Sequence, residues 1–128
     1  MTSELWALLW AAILCLVLPA LYAPLYSRQV GPAGMIGNRE GLAEPTGAAG
    51  RGLRAHRNLI ENLVPFAIAV LVARAAGISN GMTVLGAWLF LGARVVHAAS
   101  YIAGIPGIRT LAWATGVIGT VLIVVQIF

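Results

Sequence analysis

Apolar residues fall into four long blocks along the chain, over residues 5–26, 53–76, 83–103 and 109–128. Each is about 20 residues long, the length a helix needs to cross the hydrocarbon of a bilayer. The blocks are separated by helix-breaking chemistry. The stretch 27–50 holds six glycines (31, 34, 37, 41, 47 and 50) with Pro32 and Pro45, and reads as a loop too glycine-rich for a regular element. "GISNGM" at 77–82 and "GIPG" at 104–107 read as short turns. Trp6 and Trp10 stand near one end of the first block, and Tyr22 and Tyr26 near the other. Aromatic residues at both rims are what interfacial anchoring predicts. A secretory signal ending in "PALYA" is the rival reading, but the amino end carries Glu4 and no basic residue. The pattern predicts an all-α integral membrane protein, a four-helix bundle formed by one domain over 1–128. In the fourth block Ala112, Gly116 and Thr120 recur every four residues, a small-residue stripe suited to close helix packing.

Composition agrees with this class. Apolar residues make up 60% of the 128 and charged residues 9%, against about 25% charged in soluble domains. The formal charge of +4 comes from eight arginines and four acids, with no lysine. Arg28, Arg39 and Arg51 flank or occupy the first connection, and Arg109 follows the third. Those connections share one side of a four-span bundle, and only Arg74 lies near the other. The positive-inside rule then puts the basic loops in the cytoplasm and both termini outside. A nucleic-acid surface would need a solvated basic face interleaved with aromatics, which this pattern lacks. The Ala/Gly/Arg-rich, lysine-free composition points to a bacterial inner membrane. Cys15 is the single cysteine and lies inside an apolar run, where it reads as a small apolar filler. No spacing suggests a metal site.

The start of the second block departs from the apolar rule. "RGLRAHRNLIENLVPF", residues 51–66, crowds charge and amide groups into a membrane segment. At 3.6 residues per turn, Arg51, Arg54, Asn58, Glu61 and Asn62 fall within an arc of roughly 100°. Pro65 continues that face, Arg57 lies at its edge and His56 lies on the far side, where it reads as a loop or interfacial contact. Glu61 stands about 15 Å into the helix, too deep for a short carboxylate to reach the interface. It therefore needs a partner or a polar cavity, and a structural ion pair with Arg57 is the plainest alternative. In the third block Arg94, His97 and Tyr101 share a face within about 60°. Two such stripes imply a polar cavity shared between helices near the cytoplasmic side.

Arginine forks bind carboxylates bidentately, and Glu61 is suited to an ammonium. The inventory therefore favours a small zwitterion with several carboxylates. Glutathione, with two carboxylates, an amine and a thiol, matches it without being singled out by it. No strand-to-helix phosphate loop and no Ser/His/Asp set is evident.

R-x-x-R-A-x-x-N-x-x-E-N followed by P-F resembles the second-helix signature of the MAPEG family, the membrane-associated proteins in eicosanoid and glutathione metabolism. "ARVVHAASYIAGIPGIR", residues 93–109, is similar to that family's third-helix pattern. The length, the four spans and the long first loop also fit, so the resemblance covers nearly the whole chain. It implies a homotrimer binding glutathione between neighbouring subunits near the cytoplasmic side. Carried over by position, it makes Arg54, Asn58, Glu61, Arg94 and His97 glutathione contacts, with Arg51 and Arg28 as further basic contacts. Tyr101 and Arg109 become the catalytic pair, Arg109 holding the thiolate and Tyr101 donating to sulfur or substrate.

The implied reaction adds glutathione thiolate to a lipophilic electrophile from the bilayer, in detoxification, with peroxidase activity a related possibility. A fixed cation beside the sulfur raises the thiolate population. Two other classes compete: a non-catalytic lipid- or glutathione-binding member of the same family, and a small four-helix transporter using Glu61 to carry protons. The lipid-facing residues name no electrophile.

Overall fold

The computed structural model describes residues 1–128 as four helices and their connections: α1 (Ser3–Ile36), α2 (Gly47–Ala75), α3 (Gly81–Ala103) and α4 (Pro106–Val124). All four are long and apolar enough to cross a membrane. The chain is thus an integral, multi-pass membrane protein. Only 26 of its 128 residues are buried, so most of its apolar side chains are left to lipid or to other protein.

The first connection is shorter than the glycine content suggests. α1 continues through Ser27–Ile36 and α2 begins at Gly47, leaving only 37–46 irregular. Two local effects explain the difference. Gly31 takes a left-handed φ of 79° and kinks α1, and Pro32 then restarts the helix where a missing N–H costs nothing. Gly50 serves packing instead of flexibility: it is buried in the first turn of α2, where a Cβ would run into Pro45 O, and just beyond it Gly52 lets α2 approach Tyr22 of α1. With 34 residues, α1 is ~50 Å long, well beyond the ~30 Å of hydrocarbon. Part of it therefore extends beyond the hydrocarbon.

The other two connections follow the sequence closely. Asn80 caps α3 by accepting from Met82 N at 2.9 Å and Thr83 N at 3.1 Å, while Thr83 Oγ1 accepts from Asn80 N at 2.8 Å. At the other end Gly104 adopts φ 81° as the C-cap and Pro106 opens α4.

α3 and α4 form the closest pair, α1 lies on α2 and α3, and α1 does not meet α4. A Cβ on Gly86 would stand 2.5 Å from Gly119 O, and one on Gly119 would stand 2.6 Å from Gly86 O. Only glycine at both positions permits that separation. Phe66 and Phe90 stack at 3.8 Å between α2 and α3, inside a core with Ala7, Ala11, Val70, Ala87 and Ile123. The small-residue stripe of α4 is turned mostly inward: Ala112 and Gly116 are buried and Thr120 is partly so.

The end of the bundle away from the long loop is tied by Glu4. Its Oε1 accepts from Thr83 Oγ1 at 2.6 Å and from Ser79 Oγ at 2.9 Å. That joins the start of α1 to the α2–α3 turn. At the loop end, Arg51 Nε donates to Ile102 O at 2.8 Å and its side chain lies along Gly104. The start of α2 is thereby fastened to the end of α3.

Candidate functional site

The two polar stripes meet where α2, α3 and α4 converge at the loop end. A cleft of about 340 Å³ is lined there by Asn58, His97, Tyr101, Arg109, Thr110 and Trp113. Helical spacing places three of these: His97 and Tyr101 are one turn apart on α3, and Asn58 faces them from α2. The turn at Gly104–Pro106 folds α4 back so that Arg109 meets Tyr101.

Arg109 Cζ lies 4.5 Å from the centroid of the Tyr101 ring, within the range in which a guanidinium is attracted to an aromatic face. His97 meets the same ring edge-on at 5.4 Å and 72°. The three side chains thus hold one another in a row, with Arg109 the half-buried, solvent-side member.

Behind the cleft, Arg94 is 1% exposed. It donates from Nη1 to Asn58 Oδ1 and from Nη2 to Asn62 Oδ1, both at 3.1 Å, and reaches Trp113 O at 3.5 Å. It lies over the Phe90 ring at 5.1 Å, against Gly116 of α4, where a Cβ would come within 2.7 Å of Nη2. Arginine can only donate, so Asn58 must turn its oxygen toward Arg94 and its amide N–H groups elsewhere. Asn62 Nδ2 in turn donates to Asn58 O at 2.8 Å. The effect is to fix Asn58 as a donor at the edge of the cleft.

No carboxylate lines the cleft, while one guanidinium borders it and a second lies directly behind. Two fixed positive charges with amide and phenol donors make a place for an anion.

The candidates from the sequence divide accordingly. Asn58, His97, Tyr101 and Arg109 are brought together. Arg94 is not a lining residue; it lies buried behind the cleft with its guanidinium on Asn58, Asn62 and the Trp113 carbonyl. Arg51 has its Nε committed to Ile102 O and works as a helix tie. Arg54, Glu61 and Arg28 are exposed, outside the cleft of this single chain. Arg57, the sequence partner offered for Glu61, lines a different cavity beneath the 37–46 loop. His56 is turned into the α1–α2 contact: its Nδ1 is 3.1 Å from Tyr22 OH and its Nε2 3.5 Å from Cys15 Sγ. Cys15 accordingly has a polar neighbour on α2. Thr110 and Trp113 were not anticipated. The available signal was helical spacing, since both lie within four residues of Arg109 on α4.

The family model described as "MAPEG family" matches residues 7–128. No curated protein matches the sequence.

Proposed function

The chain belongs to the MAPEG family, membrane proteins of glutathione and eicosanoid metabolism, and from that premise we propose that it is a glutathione-dependent membrane transferase. The observation that carries the reading is the row Arg109–Tyr101–His97 in a cleft with no carboxylate.

A free thiol has a pKa of about 8.5, so only a few per cent is ionised near neutrality. A guanidinium beside the sulfur stabilises the thiolate, and a low-dielectric wall of helices strengthens the effect. Arg109 is the residue suited to that task, because its stacking on Tyr101 fixes its position while leaving its N–H groups free to donate. Tyr101 OH supplies a hydrogen bond to sulfur or to the electrophile. In the transfer step the thiolate forms the new S–C bond, the thiol proton passes to water, and a leaving group or a C=C electron pair is displaced on the electrophile. The same thiolate can attack a hydroperoxide, releasing an alcohol and leaving a sulfenic acid that a second glutathione reduces.

Asn58 offers amide donors to a carboxylate. Arg54 and Glu61 suit the second carboxylate and the ammonium, with Arg28 and Arg51 adding positive charge at that end. Arg28, Arg51, Arg54 and Glu61 lie outside the cleft of a single chain, which supports a homotrimer in which glutathione sits between neighbours. The outer face of α2 supports it further. Arg54, Glu61, Pro65, Ile68 and Val72 are all exposed and share an arc of roughly 60°. A face with an acid at that depth is poorly matched to lipid tails and is relieved by a second copy. Glu61 points away from the bundle interior, which leaves a proton-carrying transporter without its central acid. The reading also places the cleft on the cytoplasmic side of a bacterial inner membrane, in line with the arginines of that end.

The test is thiolate absorbance in the ultraviolet when glutathione is added to the detergent-purified protein. Wild type should generate thiolate and Arg109→Ala should not. Glutathione retained by the wild type without any thiolate would replace the transferase with a binding-only member.

A further inference from the structure

A second cavity, of about 360 Å³, lies on the other side of α2, enclosed by α1, α2 and the 37–46 loop. It shares no residue with the cleft at Arg109. Its floor is apolar, formed by Pro19 and Ala23 of α1 and Leu53 of α2, and its mouth carries Arg39, Glu44 and Arg57. Tyr22 and Tyr26 line it at the depth where α1 leaves the apolar region.

Three observations bear on its occupant. The first is charge: two guanidiniums and one carboxylate leave a net charge of one positive unit at the mouth. The second is backbone conformation. Arg39 has φ 65° and is the one non-glycine residue of the chain with a positive φ, a region that L side chains rarely adopt. Glycine is the ordinary solution there and is abundant in this segment, yet an arginine is held in place, with Nη2 donating to Met35 O at 3.4 Å. Such positions are characteristic of ligand clamps. The third is the way the loop is pinned. Tyr26 OH donates to Ala43 O at 2.7 Å, and Gln29 exchanges hydrogen bonds with Thr46, Nε2 to Thr46 O at 3.2 Å and Thr46 N to Oε1 at 3.1 Å. The cavity roof is therefore built, not draped.

We propose that this cavity binds a singly charged anionic amphiphile, with its phosphate or carboxylate head between Arg39 and Arg57 and its alkyl chain along Pro19, Ala23 and Leu53. Guanidinium forks match both heads, and the interfacial depth matches a molecule with one wet and one apolar end. Glu44 opposes a second negative charge and so sets the preference for a monoanion. The head chemistry is shared by an acidic phospholipid of the membrane and by a free long-chain acid, and the experiment separates them.

Protein purified in mild detergent is titrated with phosphatidylglycerol, with oleate and with diacylglycerol, and bound molecules are counted by native mass spectrometry. Either anion, or both, should bind, and diacylglycerol should not. Binding of phosphatidylglycerol alone identifies a lipid head, and binding of oleate alone a free acid. Arg39→Gly and Arg57→Gln should each weaken binding about tenfold or more, and Glu44→Gln should strengthen it toward a doubly charged head. Arg39→Gly suits the left-handed backbone, so its helical melting should match or exceed that of the wild type, which separates lost binding from lost fold. Equal binding of diacylglycerol, undiminished affinity in both arginine variants, or no binding of either anion would overturn the proposal.

Discussion

Arg94 donates from Nη1 to Oδ1 of Asn58 across 3.1 Å, joining the buried middle of α3 to the polar stripe of α2. The same guanidinium holds Asn62. Arg94→Leu takes a charged donor from two half-buried amides and should lower stability by about 1–3 kcal/mol, seen as a lower melting temperature in detergent. Arg94→Lys should recover little, since a single ammonium cannot span both oxygens. A lysine variant as stable as wild type would contradict the two-pronged role.

Asn58 separates fold from binding. Asn58→Asp still gives Arg94 an acceptor, now a charged one, so melting should change by less than about 1 kcal/mol. It removes the amide donors and adds a negative charge at the cleft, so glutathione affinity should fall at least about tenfold. Equilibrium binding and melting measured on the same preparation decide the point. An Asn58→Asp variant that binds as well as wild type would remove Asn58 from the ligand set.

Two glycines of α4 should respond differently to alanine. At Gly119 the added methyl meets the Gly86 carbonyl at 2.6 Å and Phe90 N at 2.8 Å, both backbone atoms that cannot move alone. Gly119→Ala should therefore cost about 2–3 kcal/mol. At Gly116 the atoms nearest the methyl are those of the Arg94 guanidinium, the far end of a side chain, so Gly116→Ala should cost less while loosening the bonds to Asn58 and Asn62. Glutathione affinity should fall in Gly116→Ala beyond what its stability loss accounts for.

For the chemistry, Arg109→Ala should reduce turnover of a model electrophile about 100-fold. Arg109→Lys should retain part of the rate, because the charge survives while the flat contact with Tyr101 does not. Tyr101→Phe keeps the ring face for Arg109 and loses the hydroxyl, so its loss should fall on kcat more than on glutathione affinity. Steady-state kinetics with saturating glutathione would show the split.

The outer face of α2 gives a test of assembly. In a Cys15→Ala background, Ile68→Cys should form covalent dimers on oxidation in the membrane. With one thiol per chain a trimer yields one linked pair and one free subunit. Leu16→Cys, on the exposed side of α1, should stay monomeric under the same treatment.

The architecture was legible because four apolar blocks of spanning length admit few alternatives. The turns at 77–82 and 104–107 were equally readable from their glycines and proline. The α1–α2 connection was not: glycine count suggested a loop over 27–50, whereas Gly50 is packed inside α2 against Pro45 O and Gly31 makes a single kink in α1. Asn58, His97 and Tyr101 followed from periodicity, and Arg109 from the resemblance of the third-helix pattern. Periodicity reports which face a residue shares, not how deep the neighbouring helix sits against it. That is why Arg94, which shares the face of His97 and Tyr101, lies buried on Asn58 and Asn62 behind the cleft, and why His56, on the far side of the stripe, found Tyr22 and Cys15 on α1.

The mutual approach of Gly86 and Gly119 reaches beyond the two helices it joins. With no side chain between their backbones, α3 and α4 cannot slide past or roll over one another without collision. They behave as one strut, sharply folded at Gly104, and Tyr101 and Arg109 stand on its two limbs just below the fold. The alignment of the cation with the phenol is thus set from a point several turns away. Side chains on the outer surfaces of the strut can vary with whatever the bilayer delivers, and the pair at its tip keeps its spacing.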